Sequence, residues 1–203
     1  MIKFLKLLQF KRKNSSDEII NSQNNKYNII FGENSYIRMP SKISGGNFIK
    51  IGKSSVIGHN SWIATFDKYF EQNFSPNIEI GDNVSIGNFA CLTAIDSIKI
   101  HDGCLFSEHV YVTDHFHGSD PSSGKRPLLQ PLFSKGPVEI GENTFIGYRV
   151  TVLSGVKIGK NCVIGAHSVV NKTIPDNCMV VGSPAKIIKR FNFENKEWEN
   201  EIT

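Results

Sequence analysis

The sequence predicts an all-β fold, a parallel β-helix of six-residue units, on three observations. An aliphatic residue stands at every sixth position in the C-terminal half: Ile140, Ile146, Val152, Ile158, Ile164 and Val170. Glycine follows four of these six, at Gly141, Gly147, Gly159 and Gly165. The register also appears upstream, broken by two long stretches, Ala64 to Asn77 and His115 to Pro137. A helix wants apolar residues every three to four positions and a plain strand every second, so a strict six fits neither. It fits a solenoid in which each unit supplies one short strand and one corner, with its aliphatic side chain turned to the axis.

Each segment follows from that register. Residues 1–28 precede the repeat, and their start, MIKFLKLLQFKRK, mixes Phe4, Leu5, Leu7 and Leu8 with five cationic side chains. This stretch is too short to span a bilayer and lacks a small-residue cleavage site. It reads either as a basic amphipathic helix in peripheral contact with the inner membrane surface through residues 1–13 or as a helix docked on the open end of the solenoid or on a partner subunit. The repeat proper covers 29–190. Phe31, Ile37, Ile43 and Ile49 form a weak run, followed by Ile51, Ile57 and Ile63, then Ile80, Ile86, Leu92 and Ile98. After a two-residue slip it restarts at Ile100, Phe106 and Val112. Gly and Asn mark the corners (Asn143 and Asn161 among them), where the chain bends and often needs positive φ. Residues 191–203 form a tail, and short helices are expected at the two termini. The loops 64–77 and 115–137 are the places where function is expected.

Length and composition bound the function. A chain of 203 residues with formal charge +4 is one ordinary domain with a mild preference for anionic ligands. Its Lys and Arg gather at both ends and form no stripe with interleaved aromatics, which argues against nucleic acid as a partner. The four cysteines (Cys91, Cys104, Cys162, Cys178) lie far apart without metal-ligand spacing. No metal site is expected, and reduced thiols point to a cytoplasmic protein.

Chemistry is expected where the repeat stops, in Thr113-Asp114-His115-Phe116-His117-Gly118. A histidine there is accessible yet held by a rigid base, as a general base requires, and this lifts His115 above His59, His101, His109 and His167 at ordinary corners and faces.

Thr113-Asp114-His115, the loop behind it and the block VEIGENTFIGYRVTVLSGVKIGKNCVIGAHSVVNKTIPDNCMVVGSPAKIIKR from Val138 to Arg190 resemble the hexapeptide-repeat acyltransferases, in the branch of sugar O-acetyltransferases and xenobiotic acetyltransferases. The resemblance implies a left-handed coil of triangular section, a homotrimer, and acetyl-CoA bound in the groove between two subunits. It makes His115 the base that takes the proton of the acceptor hydroxyl, and the Tyr148 backbone N–H, at the Gly147-Tyr148 corner, the donor to the thioester oxygen. It runs the pantetheine arm past Ala166 and Asn171-Lys172, and sets the CoA phosphates against Lys172, Lys186 and Lys189 with Ser183 in the Gly182–Lys186 turn. Clustered cations are also what a pyrophosphate and a 3′-phosphate need on physical grounds.

There are departures. Gly87 stands where the sugar enzymes carry an acceptor-lining asparagine, so Asn88 beside it is the acceptor candidate, with Asp114 and His117. Asp114 replaces the asparagine of the xenobiotic branch, and either orients the imidazole or caps a corner. The expected function is transfer of acetyl to a sugar hydroxyl, in cell-surface polysaccharide such as O-antigen or capsule, by direct attack on the thioester. A xenobiotic O-acetyltransferase, a nucleotide-sugar N-acetyltransferase and an inactive β-helix scaffold are the alternatives.

Overall fold

The computed structural model describes residues 18–201. They build a left-handed parallel β-helix of triangular section with three parallel sheets, here faces A, B and C. The chain visits them in the order B, A, C in every coil. Asn77–Ile80, Ser85–Ile86 and Cys91–Ala94 make one such coil, and Ser97–Ile100, Leu105–Phe106 and Tyr111–Thr113 make the next. Faces B and C have six strands each, while face A extends to ten with antiparallel strands at both ends.

The period seen in the sequence is the period of the wall. Ile140 pairs with Ile158, Ile146 with Ile164 and Val152 with Val170, each eighteen residues on, which is three hexapeptides per coil. Earlier coils are longer. Ile80 pairs with Ile100, Ile86 with Phe106 and Leu92 with Val112, each twenty residues on. The two extra residues are Ile95 and Asp96, at the corner between face C and face B, and they are the slip in the register. Pairing of Ile100, Phe106 and Val112 with Ile140, Ile146 and Val152 spans the extruded loop without disturbing the stack.

Every six-period residue from Ile51 to Ile164 faces inward at 3 % exposure or less, so the core is a column of aliphatic side chains with Phe106 the largest. Dispersion and removal from water favour this column, each layer closing on the layers above and below it. The outer faces differ in kind. Face B carries Lys50, Glu79, Lys99, Glu139 and Lys157 side by side, an alternating charge ladder that belongs in water. Faces A and C instead expose Leu105, Phe145, Trp62 and Tyr111.

The described ends are strands, which corrects the expectation of short terminal helices. Ile19–Ile20 pairs antiparallel with Ile37–Arg38, and Lys186–Asn192 folds back on Cys178–Val181 before Glu197–Asn200 adds an outer strand. An alternation of exposed and half-buried residues over Lys186–Asn192 explains this, since period two is a strand's pattern. The amphipathic reading of residues 1–13 falls outside the described residues. Among the described residues no helix is long and apolar enough to cross a membrane.

Ile98, fully buried, and Lys99, half-exposed beside it, test this layout. Ile98→Ala is expected to cost about 2–5 kcal/mol and Lys99→Ala no more than about 0.5 kcal/mol, read from urea midpoints.

Candidate active site

The last residue of the Tyr111–Thr113 strand leads directly into Asp114 and His115, where the chain leaves the wall. Asp114 is fully buried at 0 % exposure. Its carboxylate accepts from the backbone N–H of Ile95 at 3.0 and 3.2 Å and from that of Asp96 at 2.8 Å. The same Oδ1 faces His115 Nδ1 at 2.8 Å. A buried carboxylate is costly unless its oxygens are met by donors, and here three are supplied. Two of them come from the two-residue slip, so the irregularity of the coil is the seat of the dyad. With Nδ1–H committed to Asp114, Nε2 is the nitrogen left to accept a proton.

Neighbouring groups fix this pair. Ser154 Oγ donates to the Asp114 carbonyl at 2.6 Å and accepts from Lys135 N–H at 2.7 Å. Thr113 Oγ1 receives a hydrogen bond from Thr93 Oγ1 at 3.1 Å, and the Phe66 ring stands edge-on to His115 at 5.9 Å. The His115 side chain keeps 12 % of its surface. It lines a cavity of about 380 Å³ together with Tyr111, His117, Lys135, Ser154 and Asn171.

The expected site residues fall into two groups at opposite edges of face C. His115, His117, Asn171 and Lys172 lie where its strands end. Asn88, Gly147, Tyr148, Ala166 and Ser183 lie along the corner where its strands begin, stacked coil on coil. Gly147 is fitted closely there, for a Cβ on it would come within 2.7 Å of Ala166 N. Strands of about four residues separate the groups by ~13 Å. Tyr148 N–H therefore does not meet His115 within one chain, and its ring packs instead between His109 and His167 at 5.4 and 5.6 Å. Asn88 is likewise distant, bonded to Glu108 and to His59 N–H, each at 2.9 Å. Asp114 has no surface for an acceptor, which corrects its reading as an acceptor contact: it both orients the imidazole and caps the corner. Lys186 and Lys189 sit on the terminal hairpin, opposite Val181 and Met179. Ser154 and Lys135 gave no sequence signal, since the first occupies an ordinary repeat position and the second a loop end.

A sequence model of the bacterial transferase hexapeptide family (six repeats) matches residues 137–172. Over 169 residues the chain is 36% identical to a protein of Escherichia coli (strain K12) whose name proposes it as a lipopolysaccharide biosynthesis O-acetyl transferase, WbbJ, covering 80% of this chain and 82% of that one. It is 33% identical to the galactoside O-acetyltransferase of the same organism over 151 residues, 71% of this chain and 68% of the other. A solved galactoside acetyltransferase in complex with coenzyme A superimposes with a TM-score of 0.55 at 26% identity, covering 85% and 70% of the two chains. The chain belongs to the hexapeptide-repeat acetyltransferases.

The four cysteines are free thiols, Cys104, Cys162 and Cys178 buried and Cys91 half-buried. Burial pushes the thiols of Cys91, Cys104 and Cys162 up to about 11, so all three are protonated at neutral pH. Cys104 and Cys162 fill core positions and donate to the carbonyls of Gly141 and Pro175, both at 3.1 Å. Among the described residues no group of His, Cys, Asp and Glu is arranged to hold a metal ion.

Two outcomes test the geometry. Asp114→Asn is expected to lower kcat by about 10²- to 10⁴-fold through loss of the imidazole's tautomer, while Asp114→Ala also loses about 1–3 kcal/mol per stranded N–H, read by thermal unfolding. Iodoacetamide at pH 7.5 is expected to leave Cys91, Cys104 and Cys162 of the native protein unmodified, with their alkylation setting in only as the pH climbs toward 11, read by peptide mass mapping.

Proposed function

We propose that this enzyme moves acetyl from acetyl-CoA to a sugar hydroxyl, in the building of a cell-surface polysaccharide such as O-antigen or capsule, as a cytoplasmic homotrimer. The observation that carries this reading is the buried Asp114 that holds the His115 ring at the mouth of a cavity. The galactoside in the name of one E. coli relative and the lipopolysaccharide biosynthesis in the name of the other support the substrate class.

Acetyl-CoA supplies an activated acetyl thioester. His115 Nε2 takes the proton of the acceptor hydroxyl as the new C–O bond forms at the acetyl carbonyl carbon. The C–S bond breaks with its electron pair on sulfur, and the imidazolium returns the proton there, so an acetyl ester and a free thiol leave. Asp114 offsets the charge on the imidazolium in between. Residues present suit the donor: a corner of small residues (Gly147, Ala166, Ser183) leaves room for a slim thiol arm, and Lys172, Lys186 and Lys189 supply cations for its phosphates.

A second copy completes the site. Face B, with its charge ladder, suits water, whereas faces A and C offer apolar surface to a partner. A neighbour set against face C brings its own Asn88–Tyr148 corner to this chain's His115, which is how the Tyr148 N–H reaches the thioester oxygen. Residues 1–13 remain the proposed point of contact with the inner membrane surface.

The deciding assay is thiol release from acetyl-CoA with a panel of sugars. His115→Ala is expected to lose about 10²- to 10⁴-fold in kcat while still binding CoA. A fully active monomer in sedimentation equilibrium would sink the shared site, and an undiminished His115→Ala would sink the base.

A further inference from the structure

The two loops thrown from different coils are fastened to each other above the cavity. Gln72, in the hairpin Lys68–Tyr69 with Gln72–Asn73, sets its side-chain amide against the backbone of Leu132 in the longer loop. Its Oε1 accepts from Leu132 N–H at 2.7 Å and its Nε2 donates to Leu132 O at 3.1 Å, the pattern a neighbouring strand would offer. Tyr69 donates its hydroxyl proton to Leu128 O at 2.5 Å, and its oxygen stands 3.4 Å from His117 Nδ1. The Tyr69 and His117 rings lie 5.7 Å apart at 65°. From inside the long loop Gln130, 5 % exposed, ties down the backbone of Asp120 and Lys125. His117 is thus held in place by the other loop.

The proton inventory follows. Tyr69 has spent its one proton on Leu128, so toward His117 its oxygen only accepts. A neutral His117 therefore carries its proton on Nδ1 and leaves Nε2 with a lone pair. His115 is arranged the same way by Asp114. Two imidazoles that line one cavity each present an accepting nitrogen. A lone hydroxyl meets one of them and leaves the other to water, whereas two hydroxyls of one sugar offer a donor to each.

We propose that the acceptor is a vicinal diol of a pyranose, whose one hydroxyl is deprotonated by His115 while its neighbour donates a hydrogen bond to His117, with Tyr69 as the positioning residue for that second ring. This rests on the sugar O-acetyltransferase reading and narrows it. Sugars whose free hydroxyls stand singly, their neighbours deoxygenated or already substituted, are poor acceptors.

The test uses methyl glucoside, galactoside, mannoside and rhamnoside pyranosides and their monodeoxy counterparts in the thiol-release assay, with wild type, His117→Phe, His117→Gln and Tyr69→Phe. In the wild type, removal of the hydroxyl next to the acetylated one is expected to lower kcat/KM roughly 5- to 20-fold, mainly through KM. In His117→Phe the same removal changes kcat/KM by less than about twofold, because the partner of that hydroxyl is gone. His117→Gln, which keeps an accepting atom, restores part of the discrimination, and Tyr69→Phe weakens it. Both side chains are on exposed loops, so unchanged melting curves separate these effects from unfolding. Equal losses in wild type and His117→Phe, or no loss in the wild type, overturn the diol. Thiol release from no sugar at all overturns the sugar-transfer reading itself, and the diol with it.

Discussion

Stacking of aliphatic side chains along the axis is the constraint on which everything else depends. A coil of this solenoid has no core of its own: Ile98 or Val112 is buried only because the coils above and below close over it. Strands of two to four residues cannot hold register by length, so register is held by pattern. A slip of one residue would turn the inward column outward. Insertions are accordingly confined to corners, where Ile95–Asp96 and both long loops lie. Pairing of Ile100 with Ile140 across a whole extruded loop shows how little such an insertion disturbs the wall.

The corners divide into two kinds by the residues at their positive-φ positions. Between faces B and A the positive-φ position is taken by Asn34, Ser54, Asn83, Gly103, Asn143, Asn161 and Asn177, mostly the residue types for which that backbone costs little. Between faces A and C the matching positions hold Asn60, Phe89, His109, Arg149 and His167 at φ of 55° to 61°. Bulky side chains are strained there by about 1–3 kcal/mol each. The rings of Phe89, His109 and His167 form a continuous ladder with Tyr148, starting from Phe89 stacked on His109 at 4.6 Å. The corner between faces A and C is therefore the more strained of the two. It is also the corner that holds Gly147, Ala166 and Ser183.

Much of this was legible in the sequence because the period of six is a one-dimensional record of a one-dimensional stack. The wall, the two interruptions and His115 at a break all follow from it. The terminal strands were not legible, since Lys186–Asn192 obeys period two while the preceding repeats set an expectation of six. Asp114 was readable as an orienting group or as a corner cap, and only the fold shows that one carboxylate does both, because its partners Ile95 and Asp96 stand nineteen and eighteen residues away. Long-range hydrogen bonds to backbone N–H leave no trace in residue type. The same holds for Gln72 on Leu132, sixty residues apart, where any residue at 132 would offer the same N–H and carbonyl.

The site is thus assembled from parts of unequal rigidity, and the inequality has a chemical sense. His115 is held through Asp114 to the backbone of the solenoid wall, which cannot move without disturbing a stacked coil. Tyr69 and His117 above it sit on extruded loops that side-chain contacts join to each other. Proton removal from a hydroxyl needs the same geometry whatever sugar carries it, whereas recognition of the sugar must differ from one acceptor to another. In the proposed reaction, fixing the base in the repeat and placing recognition in the interruptions lets the second change without cost to the first. On that reading a loop substitution alters which hydroxyl arrives, and the nitrogen proposed to receive its proton stays where the wall put it.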